Sequence, residues 1–96
     1  MVSLNEIKSK KEQILAIARS YGADNLRVFG SFVNGTPDEN SDLDLLVRMA
    51  PQNSLIERIG LMQELEKMLH IKVDVVNEKA LDKNIKQQVL EQGIPL

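Results

Sequence analysis

Short β-prone runs alternate with stretches of helical periodicity along this chain, and that alternation constrains the fold more than any other feature. The three runs are Leu26 to Phe29, Asp42 to Val47 and Ile71 to Val76. Together with the helical stretches they give the order α-β-(short α)-β-α-β-α within 96 residues. We therefore predict an α+β fold in which a small mixed sheet of about three strands is covered by helices, with residues 1–96 forming a single domain.

Capping patterns mark the ends of the first predicted helix. Ser3 and Glu6 form a capping box, in which each side chain can bond to the backbone amide of the other residue. Tyr21 and Gly22 end the helix, because glycine adopts the left-handed cap conformation without a steric clash. We also predict a short helical turn directly after Ser31.

Two further amphipathic helices are predicted in the second half of the chain. The first follows a second capping box at Ser54, and its apolar stripe consists of Ile59, Met62, Leu65 and Leu69. The second ends at Gly93, and its apolar stripe consists of Leu81, Ile85, Val89 and Leu90. Each stripe has the width expected of a helix that packs one face on a sheet.

Composition narrows the possible functions. The net charge is −2, there is no cysteine, and the aromatic residues are one tyrosine and two phenylalanines. The lack of cysteine excludes disulfide scaffolds, thiolate zinc sites and cysteine nucleophiles. A slightly acidic chain with few aromatics is unsuited to direct nucleic-acid binding. The longest apolar run, Ile14 to Ala18, is too short to cross a membrane or to serve as a signal peptide, so we expect a cytoplasmic protein.

Aspartates interrupt two of the β-prone runs. Asp42 and Asp44 are two residues apart, so on a strand they share one face, with Cα atoms about 6.6 Å apart. Asp74, which looks buried between Val73 and Val75, reaches the same place if its strand pairs with the second strand at about 4.8 Å. Carboxylates among apolar neighbours are costly unless a cation meets them. The pattern therefore predicts a Mg²⁺ site held by Asp42, Asp44 and Asp74.

A glycine-rich segment follows the first β-prone run. Gly30 and Ser31 stand between a strand and a helical turn, where backbone amides can approach an anion and the serine hydroxyl adds a donor. Gly35 permits a second tight turn close to the same ligand. We therefore predict that Gly30, Ser31 and Gly35 bind the phosphates of a nucleotide.

Each of these features also has an ordinary structural explanation. A strand aspartate can face solvent on a half-exposed sheet, Asp42 can be a turn residue after Ser41, and a Gly-Ser pair at a strand end is most often only a turn. The functional interpretation rests on the combination of three carboxylates with the glycine turn, since a shared ligand explains all of them together and the structural explanations must be invoked separately for each.

The combined pattern of turn and carboxylates resembles a known signature. It consists of Gly30-Ser31, ten intervening residues, Asp42-Leu43-Asp44 and then Asp74 between two valines. This pattern is similar to the DNA polymerase β-like nucleotidyltransferase superfamily, and above all to its minimal members, the MNT domains that occur as antitoxins beside HEPN toxins. The resemblance extends over nearly the whole chain, from Leu26 to Gly93.

The resemblance implies a reaction and a partner. In such proteins the Gly-Ser turn holds the nucleotide's phosphates, which gives that role to Gly30 and Ser31. The paired aspartates bind Mg²⁺, here Asp42 and Asp44, and the third carboxylate, here Asp74, assists the attacking hydroxyl. The implied activity is transfer of AMP from ATP to a hydroxyl, expected to be a tyrosine, of a HEPN toxin with which the chain forms a hetero-oligomer.

One departure from the family pattern keeps other functions open. Many minimal members carry an arginine just before the second glycine, and this chain has Asn34 there. Arg48 and Lys72 are the candidates to replace that cation, although a solvated position is expected for each. One alternative is a non-catalytic antitoxin that neutralises a toxin by occlusion. Another is a small-molecule nucleotidyltransferase, which usually needs additional structure to hold its acceptor.

Overall fold

The structure, a computed structural model, describes residues 3–34, 42–50 and 55–96. In this part of the chain the fold is a four-stranded mixed sheet with five α-helices and one 3-10 turn. The elements are α1 (Leu4–Ser9), α2 (Lys11–Ser20), β1 (Ala23–Phe29), α3 (Ser31–Asn34), β2 (Leu43–Met49), α4 (Leu55–Leu69), β3 (Val73–Asn77), the 3-10 turn (Glu78–Ala80), α5 (Lys83–Gln92) and β4 (Ile94–Pro95). The predicted α+β class, the mixed sheet and the order of the predicted elements are confirmed. The capping box predicted at Ser54 lies outside the described residues.

The first predicted helix is in fact two helices that meet at Lys10. The predicted cap is present, since Ser3 Oγ accepts a hydrogen bond from the amide of Glu6 at 3.2 Å. At the break the amide of Lys10 donates to the carbonyls of both Glu6 and Ile7, at 3.2 and 3.1 Å, and the Ser9 hydroxyl donates to the carbonyl of Glu6 at 2.7 Å. Gly22 ends α2 with φ of 78°, as its sequence position predicts.

The sheet order β3-β2-β1-β4 brings the two aspartate-bearing strands together. β2 and β3 are parallel, and α4 forms the crossover between them. β1 runs antiparallel to β2, with an irregularity between Asp24 and Arg27 where Asn25 has a φ of 51°. The prediction that the third strand pairs with the second is therefore correct.

A fourth strand was not predicted. Ile94 pairs with Val28, and the amide of Leu96 donates to the carbonyl of Leu26 at 3.0 Å. We expected about three strands and no strand after Gly93. A two-residue strand that contains Pro95 has no recognisable period, and proline is tolerated in it because β4 is an edge strand.

One face of the sheet carries the core. Leu43, Leu45 and Val47 of β2 are fully buried on that face, beneath α1, α2 and α4. Residues from the helices complete it: Ile7, Ile14, Ala18, Leu61, Leu65 and Leu69. The stripe predicted for α4 is wrong at Ile59, which is 38% exposed. Within the described ranges, no helix combines the length and the apolarity that crossing a bilayer requires.

The opposite face is polar at both ends of β2. Asp44 and Arg48 alternate there with Leu46, which is fully buried. Arg48 is paired with Asp24 of β1, donating from Nε and Nη2 to the two carboxylate oxygens at 2.9 Å each. Both side chains are about half exposed. The hydrogen bond from Arg48 and its charge lower the pKa of Asp24.

We expect the Asp24–Arg48 pair to contribute little to stability. Because the pKa of Asp24 is lowered in the folded state, its contribution is present above the ordinary value of 3.8 and is lost as the pH falls through the folded value. The pair is solvent-screened, so Asp24→Asn should lower the melting temperature at pH 7 by no more than about 3 °C. Thermal unfolding at pH 7 and at pH 3 checks this, and a fall of 10 °C or more at pH 7 would contradict it.

Candidate active site

The two strand aspartates lie side by side on the face opposite the core. Asp44 of β2 is in register with Asp74 of β3, so their side chains point to the same side of the sheet. Asp44 is also in register with Phe29 of β1. Phe29, Asp44 and Asp74 therefore form a row across three neighbouring strands, with Asp44 at its centre.

Gly30 directly follows β1 and lies against Asp44, the central residue of this row. Its φ of 77° lies in the left-handed region, which glycine adopts without strain. A Cβ atom at this position would overlap Asp44 Oδ2 and would lie 3.1 Å from Asp44 Cγ. The turn that begins at Gly30 is thus packed directly on the Asp44 carboxyl group, and only a residue without a side chain allows that approach.

The surroundings of Asp44 disfavour the ionised form of its carboxyl group. Burial raises the pKa of Asp44, and the negative charges of Asp74 and then Asp42 raise it further. In the part of the chain that the structure describes, no lysine, arginine or histidine is ion-paired with Asp44. A site with this charge balance attracts a cation, and its oxygen donors suit a hard ion such as Mg²⁺.

The three aspartates do not form the closed cluster that we expected. Asp42 precedes the first residue of β2 and is exposed, so the alternation of the strand does not fix its side chain. Asp74 is exposed, whereas the sequence suggested that it is buried. No three acidic or histidine side chains within residues 3–34, 42–50 and 55–96 are arranged to hold a metal ion by themselves. Mg²⁺ usually takes one or two carboxylates together with phosphate oxygens, and the site fits that pattern.

The remaining predicted residues are only partly described. Ser31 is the first residue of α3, directly after Gly30, and is partly buried. Gly35 lies outside the described residues. Arg48 stands four residues beyond Asp44 on β2 and is held by Asp24, so it does not replace the family's arginine. Lys72 is exposed, as expected.

Sequence analysis missed a cavity beside the carboxylates. It has a volume of about 230 Å³ and lies between β1, α3 and α5; its walls are Phe29, Gly30, Val33, Ile85, Gln88, Val89 and Gln92. The helical period of α5 places its four lining residues on one face, but which face turns toward Gly30 follows only from the fold. A larger depression of about 580 Å³ lies between Tyr21 and α4, and none of the predicted site residues line it.

Comparison with known proteins identifies the family. A sequence model described as "Polymerase beta, Nucleotidyltransferase" matches residues 5–96. The protein adenylyltransferase MntA of Thermococcus cleftensis is 36% identical over 99 residues, in an alignment that covers 98% of this chain and 96% of that relative. The family model and the relative thus both match almost the whole chain.

Solved structures agree with the sequence match. A protein described as a candidate minimal nucleotidyltransferase has a TM-score of 0.88 and 37% identity, covering 99% of this chain and 97% of its own. A toxin–antitoxin complex with AMP-PNP gives 0.74 and 31%, covering 88% and 70%. A tri-AMPylated HEPN toxin of Shewanella oneidensis in complex with MNT antitoxin gives 0.69 and 26%, covering 92% and 69%. The chain therefore belongs to the polymerase β nucleotidyltransferase family and has the fold of its minimal members.

Proposed function

We propose that this protein transfers AMP from ATP to a hydroxyl group, expected to be a tyrosine, of a partner HEPN toxin, and so acts as its antitoxin. The observation that carries the proposal is the packing of Gly30 on the Asp44 carboxyl group, with Asp74 in register beside it. The relatives support the same activity, since one is named a protein adenylyltransferase and another was solved with an AMPylated HEPN toxin. The proposal includes a hetero-oligomer of the chain with that toxin, in the cytoplasm where ATP is supplied.

The proposed roles combine the described geometry with the sequence pattern. Gly30 and Ser31 hold the phosphates of ATP, a role supported by the packing of Gly30 on the Asp44 carboxyl group and by the place of Ser31 directly after it at the start of α3. Gly35 is proposed for the same role from its place in the sequence alone. Asp42 and Asp44 hold Mg²⁺ together with phosphate oxygens, and Asp74 contributes the third carboxylate. When bound, Mg²⁺ supplies a Lewis acid that neutralises negative charge on the phosphates.

The proposed reaction exchanges one phosphorus–oxygen bond for another. The acceptor oxygen forms a bond to the α-phosphorus of ATP, and the bond from that phosphorus to the bridging oxygen of the β-phosphate breaks. Pyrophosphate leaves, and the proton of the acceptor hydroxyl passes to Asp74, which is exposed and therefore accessible to a group on another protein. The Gly30 turn contributes by fixing the nucleotide relative to these carboxylates.

Labelled ATP tests the proposal directly. With a HEPN toxin as acceptor, we expect label to appear on the toxin from ATP labelled at the α-phosphorus and none from ATP labelled at the γ-phosphorus. Chelation of Mg²⁺ with EDTA should abolish the transfer, and added Mg²⁺ should restore it. Transfer of the γ-label would identify a kinase instead, and transfer of neither label would refute the proposal.

One observation favours a second candidate function. Asn34 occupies the position at which many minimal members carry an arginine, and Arg48 does not supply the missing cation. A site weakened in this way is compatible with an antitoxin that blocks its toxin by occlusion alone. Under that alternative, calorimetry detects no Mg²⁺-dependent binding of ATP, whereas the enzyme binds it.

A further inference from the structure

The cavity beside α5 has a regular chemical pattern. Ile85, Gln88, Val89 and Gln92 recur at helical spacing, so that two apolar side chains and two amides of α5 line the same space. Phe29 and Val33 form apolar walls on the side of β1 and α3. Such a site, apolar with a few polar groups, is typical of those that bind small molecules and cofactors.

The position of the cavity relates it to the proposed phosphate site. Gly30 lines the cavity and also packs on Asp44, so the two sites share a wall. Phe29, another lining residue, is in register with Asp44, and Asp74 lies on the other side of Asp44 at a strand spacing of about 5 Å. The cavity and the exposed carboxylate of Asp74 are therefore on opposite sides of Asp44.

We infer that this cavity holds the adenine base of ATP, a conclusion that rests on the proposed function and identifies the part of the site that recognises the nucleotide. A nucleotide whose phosphates lie at Gly30 can extend into the cavity, while the side of Asp74 stays open to the acceptor. A volume of about 230 Å³ suits one ring system, since whole drug-sized ligands fill about 300–1,000 Å³.

The lining residues match the chemistry of adenine. Phe29, Val33 and Val89 offer apolar surface to the faces of the base, and Ile85, which is 48% exposed, would be covered by it. A glutamine side chain carries a carbonyl acceptor and an NH2 donor group, which pair with the N6 amino group and a neighbouring ring nitrogen of adenine. On the same edge guanine presents two acceptors, O6 and N7, so a glutamine held in the same orientation has its carbonyl oxygen facing an acceptor and loses that hydrogen bond.

A double variant, Gln88→Leu with Gln92→Leu, tests the inference in the full-length protein. Calorimetry in the presence of Mg²⁺ compares ATP, GTP and tripolyphosphate, which carries the phosphates without a base. We expect the variant to bind ATP about tenfold more weakly than the wild type and to lose most of the preference for ATP over GTP. Binding of tripolyphosphate should stay within about twofold of the wild-type affinity, because the phosphate site is untouched.

Gln87→Leu is the matched control. Gln87 lies on the same helix and donates to Glu91 at 3.1 Å, but it does not line the cavity. The same amide-to-leucine change should leave the affinity for ATP unaltered. The inference is overturned if the double variant binds ATP and GTP as the wild type does. It is also overturned if the only effect is a higher KM for the HEPN acceptor. In both cases the proposed function stands. If the wild-type protein neither binds ATP nor transfers AMP, both are overturned.

Discussion

Asp44→Asn is expected to lower the rate of AMP transfer to the HEPN partner by about a thousandfold or more, equivalent to ~4 kcal/mol of transition-state stabilisation. Asp44 is the central carboxylate of the row, partly buried and in contact range of the Gly30 turn. The amide keeps the shape of the side chain but removes the charge that the proposed Mg²⁺ site requires. Initial rates with α-labelled ATP measure the effect.

The same substitution should not destabilise the protein. Burial and the charges of Asp74 and Asp42 raise the pKa of Asp44, so the stability that its protonated form provides is present below the ordinary value of 3.8 and is lost as the pH rises through the raised value. At pH 7 the ionised carboxylate therefore opposes folding, and the asparagine relieves that repulsion. We expect the melting temperature at pH 7 to be unchanged or higher.

Asp24→Asn is the matched control for this experiment. It makes the same chemical change at the other end of the β1–β2 pair, where the carboxylate is stabilised by Arg48. It should leave transfer within about twofold of wild type while slightly lowering stability, the opposite of the result at Asp44. Transfer by the Asp44→Asn protein within tenfold of wild type would contradict the role assigned to Asp44.

The Asp44→Asn protein also separates the enzyme from the occlusion alternative. An antitoxin that acts by AMP transfer loses neutralisation together with activity, so cells producing the toxin and this variant should stop growing. An antitoxin that acts by occlusion keeps its neutralising surface, since Asp44 faces the Gly30 turn and is only partly exposed. Growth of those cells would favour the second function.

Gly30→Ala is expected to reduce AMP transfer by at least about a hundredfold, because a misplacement of about 1 Å in a reacting group has that effect. The added Cβ overlaps Asp44 Oδ2, so either the carboxylate or the turn must move. The left-handed φ of 77° adds a strain of about 1–2 kcal/mol for any residue with a side chain. Transfer assays and thermal unfolding measure the two effects separately.

Gly22→Ala isolates the effect of backbone strain. Gly22 has a φ of 78°, close to the 77° of Gly30. It lies between α2 and β1, at the end of β1 away from Gly30 and Asp44. Both variants should lose the stability that the strained φ costs, and Gly30→Ala should lose more because its Cβ also overlaps Asp44 Oδ2. Only Gly30→Ala should lose activity per folded molecule. If Gly22→Ala reduces transfer as strongly as Gly30→Ala, the loss comes from strain and the contact with Asp44 is unimportant.

The spacing of apolar residues predicted the elements well, because a helix buries a side chain every three or four residues and a half-buried strand buries every second one. The strand predicted over Asp42 to Val47 is found at Leu43–Met49, and the helix predicted to end at Gly93 is found at Lys83–Gln92. The apolar stripe predicted for that helix is wrong at Ile85 and Leu90, which are 48% and 37% exposed. The break at Lys10 was missed because the apolar spacing from Leu4 to Ala18 continues across the junction of the two helices. The strand at Ile94–Pro95 was missed because two residues have no period, and its partner is distant in sequence.

The site was predictable as a set of residues but not as an arrangement. Aspartates within apolar runs were visible in the sequence, whereas the register of Asp44 with Asp74 depends on the crossover through α4. The exposure of Asp74 was predicted wrongly, because a residue between two buried valines can still face solvent on a sheet. The cavity with Gln88 and Gln92 required knowing which face of α5 meets β1.

β3 is an edge strand of the sheet, and this position gives the charge of Asp74 a second effect, on self-association. β3 pairs with β2 on one side, and its other side has no partner strand within the described residues. The unpaired backbone groups of an edge strand can pair with a strand of another molecule, and natural proteins prevent this pairing with charged side chains. Asp74 is the charge in an otherwise apolar Val73–Val76 segment. A change that made this position apolar would therefore expose a self-associating strand as well as remove the proposed proton acceptor, and insolubility could be mistaken for loss of the proposed AMP transfer.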